Sequence, residues 1–353
     1  MYARAVTAEW TRRRALQALA LGTASGSLPH AASAHRLRQG GAAAPAVIHT
    51  VTGPIAADAL GLTLSHEHLF SRFGDPPDDA PAYPARLADT VLPYLRYLHA
   101  LGVRTIVDAT AAWFGRAPRL LQQLSQESGV QILTNTGLYG AADDRYVPEA
   151  ARTASADDLA RQWTREHVNG IGDTGIRPGF IKIGVDAGPL SPIDRTLVVA
   201  AARTHLQTGL TIACHTGNSA GAAMTQLDIL RAERVAPGAW VWVHAHSCTD
   251  DDALWRAAAA GAWLGLDGIT ALTWERHIAL VVEARRRRLL ARILLSHDGN
   301  AFPAGGRLPR DFHLLLTSFR YRLADHGLTS DDIDQLLVAN PRAAWGGGVR
   351  RQA

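Results

Sequence analysis

Lysine is all but missing from this chain of 353 residues: among its 36 basic side chains the one lysine is Lys182, and the rest are arginine. Either residue can serve as a surface cation, but guanidinium stays charged throughout the accessible pH range. Among side chains, an amine that must shed its proton and react can therefore be supplied only by Lys182. It lies in an apolar segment, Phe180-Ile181-Lys182-Ile183-Gly184-Val185-Asp186. Composition alone leaves codon bias with one survivor as the competing explanation. Cysteine is scarce too: Cys214 and Cys248 allow at most one disulfide, so the core and not covalent bridging must hold the fold. Beyond the N-terminus no stretch reaches the roughly 20 uncharged apolar residues that a membrane span needs. No Gly-x-Gly-x-x-Gly follows an early strand and no Walker-type loop occurs, which argues against a nucleotide-binding doubly wound sheet. No shift in composition marks a second domain.

What is present begins with an export pattern. Residues 1–34 carry Thr11-Arg12-Arg13-Arg14-Ala15-Leu16, an apolar Ala/Leu run and Ala32-Ser33-Ala34, the order expected of a twin-arginine signal peptide and its cleavage site. Proteins with such signals resemble those exported already folded, so a periplasmic or secreted location is expected. Residues 35–46 read as a linker and 47–353 as the folded part. The signal holds four arginines and one glutamate, a net +3 of the chain's +4, and the remainder is near +1. Neither nucleic acid nor an anionic membrane is implied as a partner. Arg285 to Arg288 sit in the amphipathic stretch Ile278 to Leu295 and read as a solvated helix face.

Hydrophobicity is 47%, enough for a large core. Eight short β-rich runs alternate with helical patterns: Leu62–Ser65, Thr105–Ala109, Gln131–Asn135, Phe180–Val185, Leu210–Cys214, Trp240–Val243, Ala262–Leu266 and Arg292–Ser296. Continuous apolar strands separated by helices belong to a parallel sheet buried on both faces, and eight such units suit a (β/α)8 barrel, the TIM barrel.

Active sites of such barrels lie at the C-terminal strand ends. Strand one ends in His66-Glu67-His68, and histidines two apart on a strand face the same side. Strand four carries Lys182, strand five ends in His215, strand six in His244 with His246 two residues on, and strand eight in Asp298. Singly, each is compatible with a hydrogen-bonded core histidine or a helix cap. Together, at the ends of separate strands, they read as ligands of metal ions.

Thr52-Gly53-Pro54-Ile55, Leu64-Ser65-His66-Glu67-His68-Leu69, Thr136-Gly137-Leu138-Tyr139, Gly179-Phe180-Ile181-Lys182, Cys214-His215-Thr216-Gly217, Gly265-Leu266-Asp267, Leu295-Ser296-His297-Asp298 and Asn340-Pro341 resemble the phosphotriesterase family of the amidohydrolase superfamily. The resemblance runs from Val47 onward and implies two divalent ions. One would be held by His66, His68 and Asp298, the other by His215 and His244, with Lys182 bridging them as an N6-carboxylated carbamate. Zinc is the default for such a histidine-rich set, and cobalt, manganese or iron would accept the same ligands. A water held between two ions would become a nucleophile near neutral pH, with Asp298 as both ligand and general base. A lactone, carboxyl ester or organophosphate ester would be the small-molecule substrate, and the resemblance suggests a homodimer.

The pattern departs from the family in places. His246 follows His244 at same-face spacing, so the strand-six ligand stays open between them. Gly268 stands where phosphotriesterases proper carry a relay histidine, and Ser247 where its acidic partner would be. Tyr139 falls where lactonase-like members set a tyrosine against the substrate, or else it packs at a strand end. A separate motif, Gly217-Asn218-Ser219-Ala220-Gly221, has the form of a nucleophile elbow, with Asp267 or Asp298 and His313 or His326 as conceivable partners. A barrel that binds metal without turning over is the third reading.

Overall fold

The computed structural model describes residues 47–74, 86–305 and 307–352, so the expected signal peptide and linker lie outside the described residues. The described part opens with an antiparallel hairpin, β1 (Val47–Thr50) and β2 (Gly53–Ala56), unanticipated in the sequence. The barrel strands follow as β3 (Thr63–His68), β4 (Thr105–Asp108), β5 (Gln131–Leu133) with β6 (Asn135–Thr136), β7 (Phe180–Gly184), β8 (Ile212–His215), β9 (Trp240–Val243), β10 (Trp263–Leu266) and β11 (Ile293–Leu295) with β12 (Gly299–Asn300). Neighbours pair in parallel, in the orders β12-β3-β4-β5 and β6-β7-β8-β9-β10-β11. Strand three is interrupted at Thr134 and strand eight at 296–298, where the ring passes from one ladder to the other. The architecture is the expected (β/α)8 barrel. Strand one runs three residues further than expected, so that His66 and His68 lie within β3 and not after it.

Helices α1 (Arg86–Ala100), α2 (Pro118–Ser128), α3 (Ala156–Asn169), α4 (Pro192–Thr208), α5 (Ala220–Ala232), α6 (Asp251–Ala259) and α7 (Trp274–Arg286) separate the strands. Local chemistry fixes their ends. Ser191 caps α4 by accepting from the Asp194 N–H, Pro192 pre-sets the first turn, and left-handed Gly209 ends it. Ser155 and Asp158 form a capping box on α3. The arginine run is an exposed helix end, as expected: Arg286 and Arg287 pair with Glu283, and Arg285 with Asp332. The helix stops at Arg286, however, well short of Leu295, because the chain must turn into β11.

Two apolar clusters share the strands. The inner one includes Val107, Leu133, Phe180, Ala213, Val241, Val243, Trp263 and Leu294, with Ile48 of the hairpin and Trp345 packed into it. The outer one holds their sequence neighbours Ile106, Ile132, Ile181, Ile212, Trp242, Leu264 and Leu295 together with the helices. Alternation between interior and helix layer is what a strand period of two dictates. Both cysteines are free and buried. No described helix is long and apolar enough to cross a membrane.

Candidate active site

Strand parity places most of the site. In β7, Phe180 belongs to the interior and Ile181 and Ile183 to the outer layer, so Lys182 shares the inward side with Phe180. It is only 3% exposed. The same alternation turns His215 inward from β8 and Asp267 inward after β10.

Two residues reach the interior by breaking the alternation. Between Leu64 and Glu67 the β3 to β4 register slips, one extra residue on β3 forming a bulge around Ser65 and His66. Without that bulge His66 would share the outer side with Leu64. Its N–H, released from the ladder, donates to Ser296 Oγ at 3.0 Å. On strand six Val243 faces the interior, which by alternation would send His244 outward. His244 instead takes a left-handed backbone, φ 63°, that redirects its ring inward. Asp298 is left-handed as well, at φ 50°.

Each of three histidines commits Nδ1 to an acceptor behind it. His66 Nδ1 lies 3.0 Å from Asp267 Oδ2. His244 Nδ1 lies 2.9 Å from Asp267 Oδ1, which also accepts the His244 N–H. His68 Nδ1 lies 2.8 Å from the Thr110 hydroxyl, which in turn donates to the Phe70 carbonyl. Nε2 is thereby turned forward: His66 and His68 meet Asp298 Oδ1 at 3.4 and 3.1 Å. Donor atoms of His66, His244 and Asp298 all lie within 4.8 Å of one another. The His215 ring is 4.7 Å from that of His244. An oriented imidazole with a backing acceptor is the usual setting of a metal ligand, so the residues fit a divalent ion.

Charge tells the same story. Burial and Lys182 push His66 down, but Asp267 and Asp298 outweigh them and its pKa is raised. Burial disfavours ionised Asp267, yet His244 and His66 hold its carboxyl well below the usual range. Asp298 behaves likewise, burial being overcome by hydrogen bonds from His66 and His68. Burial, then the charges of His244 and Lys182, drive His215 well below the ordinary histidine value. Burial lowers Lys182, against the pull of Asp267 and Asp298.

The three-residue cluster includes His244 and not His246. The His246 ring stacks on His277 at 4.6 Å, and a Cβ on Gly268 would come within 2.2 Å of its Nε2. The space a side chain at Gly268 would claim is thus filled by His246, whose Nδ1 stands 3.5 Å from Asp267 Oδ1. Burial and His246 hold His277 down at about 4. Ser247 donates to the His244 carbonyl and closes a turn.

Tyr139 is half-buried, its ring packed so closely on Gly184 that a Cβ there would lie 2.7 Å away. It meets His215 at 5.1 Å and Phe114 at 4.4 Å between ring centres. Phe114 continues to Phe73 at 4.6 Å, and Arg307 covers Phe73, so an aromatic wall runs from His215 to the rim. Burial and the Asp298 charge push the Tyr139 phenol upward.

The serine motif does not assemble. Ser219 is the N-cap of α5, its Oγ accepting from the N–H groups of Ala222 and Gly188. Its conceivable partners Asp267 and Asp298 belong to the histidine cluster, and His313 faces the Tyr94 hydroxyl. Among the described residues no imidazole pairs with Ser219. The sequence had also left Thr110, Glu67 and Arg310 unmarked, and Asp267 without a role beside the histidines. Glu67 and Asp267 stand inside matching segments, but neither they nor Thr110 and Arg310 carry a local sign of the partner they meet.

A histidine and carboxylate cluster at the C-terminal rim of a (β/α)8 barrel stands where TIM-barrel enzymes carry their active sites. The family described as Phosphotriesterase family matches residues 46–345, and the chain belongs to it. Phosphotriesterase homology protein of Escherichia coli is 29% identical over 80% of this chain and 97% of its own length. N-acetyltaurine hydrolase of Rattus norvegicus is 26% identical over 84% and 96%. Aryldialkylphosphatase of Saccharolobus solfataricus is 27% identical over 56% and 63%. A triple variant of the organophosphorus hydrolase from Deinococcus radiodurans superposes with a TM-score of 0.77 at 26% identity, over 84% of this chain and 97% of that one.

Proposed function

We propose that this protein is an exported, metal-dependent hydrolase that opens a carboxyl ester, lactone, amide or organophosphate bond at the rim of its barrel. The observation that carries the reading is the convergence of His66, His244 and Asp298 donor atoms within 4.8 Å, with each imidazole held from behind by Asp267. His66, His68 and Asp298 would hold one divalent ion, and His215 and His244 a second. Lys182 would join them as a carbamate: its burial favours the neutral, nucleophilic amine, against the pull of Asp267 and Asp298. Zinc suits this donor set, and cobalt, manganese or iron would be accepted. Ions bound there would supply a water nucleophile near neutral pH and polarise the bond under attack.

The chain's own residues do the rest. Asp298, which reaches His66 and His68 through one oxygen, would take the proton from the attacking water. Asp267 keeps two imidazoles in one tautomer and orientation. The wall of Tyr139, Phe114 and Phe73 offers an apolar surface to an acyl or aryl group and keeps water from that side. The names of the relatives support both phosphoester and amide bonds, while Tyr139 supports the ester and lactone side. Gly268 and Ser247 depart from the phosphotriesterase relay, so paraoxon-type turnover is expected to be slow.

The test compares metal-free protein with protein reloaded with about two equivalents of zinc or cobalt, across lactones, esters, amides and phosphotriesters. Reloading should restore turnover that chelation removed. Equal rates without metal would sink the reading, and full metal occupancy with no turnover on any substrate would leave a binding protein. Export is tested separately, by locating the full chain and its variant with Arg12 and Arg13 replaced by lysine.

A further inference from the structure

Asp298 has a second oxygen that the histidines do not use. Oδ2 lies 3.2 Å from an amino group of Arg310, an arginine with 59% of its side chain exposed. The pair is wet and contributes little to stability. The backbone of Arg310 is nonetheless fixed. Arg310 and Asn300 exchange both backbone N–H···O bonds at 2.8 Å. Asn300 Nδ2 donates to Ser71 Oγ, and two residues after Arg310 the ring of Phe312 is fully buried, its N–H donating to the Tyr94 hydroxyl. A clamp on either side therefore fixes the backbone from which the guanidinium reaches the carboxylate.

A guanidinium carries five N–H donors in a planar fork, suited to two-point recognition of a carboxylate, sulfonate or phosphate. Arg310 spends one amino group on Asp298, and its exposure leaves the others turned to solvent. Beside a site that would hold divalent cations a further fixed cation is unfavourable unless an anion joins it. A neutral substrate would gain nothing from that charge. One that bears an acidic group would be drawn to the mouth and held with its scissile bond near Asp298.

We propose that Arg310 is the anion anchor of the substrate site, and that the preferred substrate carries an acidic group a short linker away from the bond that is cleaved. This rests on the hydrolase reading above and narrows it to anionic substrates. No covalent step is added: the anchor binds and orients only.

Metal-loaded wild type, Arg310→Gln and Arg310→Lys are compared on para-nitrophenyl butyrate and on mono-para-nitrophenyl glutarate, which share a leaving group and differ in the terminal carboxylate. Glutarate binding to each is followed by calorimetry. Wild type should favour the glutarate ester. In Arg310→Gln the ratio of kcat/KM for the anionic over the neutral ester should fall about tenfold, chiefly through KM, with glutarate binding weakened by about the same factor. Arg310→Lys should recover part of both. A ratio unchanged in Arg310→Gln, with both esters slowed together, would overturn the anchor and leave Arg310 as a positioning partner of Asp298. If wild type hydrolyses neither ester, the hydrolase reading fails on these bonds while glutarate still decides. Wild type that does not bind glutarate, or binds it no better than Arg310→Gln, overturns the proposal.

Discussion

Lys182 stands on the inward side of β7 with Phe180, within reach of the charges of His66, His215, Asp267 and Asp298. Lys182→Arg keeps a cation and removes the nucleophilic amine. It should lower bound metal and cut turnover by about 100-fold or more with circular dichroism unchanged. Full activity in that variant would return the lone lysine to an accident of codon usage. Gly268 is a different kind of position, important for what it leaves out. Gly268→Ala would drive a methyl group to 2.2 Å from His246 Nε2 and force the imidazole off its seat beside Asp267. A loss of about 1 to 3 kcal/mol in thermal unfolding and slower turnover are expected. An unaltered melting curve would mean that His246 moves away freely.

Among the elements, strand one does two jobs with its two faces. While His66 and His68 face the cluster, Glu67 points the other way and is fully buried. Its Oε1 accepts from the Ser296 hydroxyl and from both nitrogens offered by His297, and its Oε2 accepts from the Gly299 N–H. One carboxylate thus sutures strand eight to strand one where the ladder is interrupted. Glu67→Ala would strand these donors in the core and should lower stability by about 3 kcal/mol or more, read from denaturant unfolding. The sequence disclosed the eight strands, their order and the ligand candidates because apolar runs and strand ends are local signals. It withheld the bulge at Ser65 and His66 and the left-handed His244. Both are defects in a two-residue period, forced by tertiary pairing that no neighbouring residue records. That His244 joins the cluster depended on such a defect. So did the role of Asp267, which links histidines from strands one and six.

For the molecule as a whole, pH should act through Asp194 at the start of α4. Burial raises its carboxyl to about 7, with Asp144 and Asp186 adding to the shift. The folded state then holds a proton that the unfolded chain releases near its ordinary value. This group's stabilisation is present at acid pH and declines as pH rises towards about 7. Asp194→Asn should flatten that decline in melting temperature between mildly acid and neutral buffer. A slope identical to wild type would assign it to other groups. The backbone also limits which side chains redesign could set at two positions of the cluster. His244 and Asp298 both hold left-handed backbone, a conformation that histidine and aspartate visit far more readily than most side chains. Thiolate or glutamate ligands, equally able donors, would carry a backbone penalty at these two positions. The backbone itself thus sifts a mutant library at these two positions towards histidine, aspartate and asparagine before any ligand is offered.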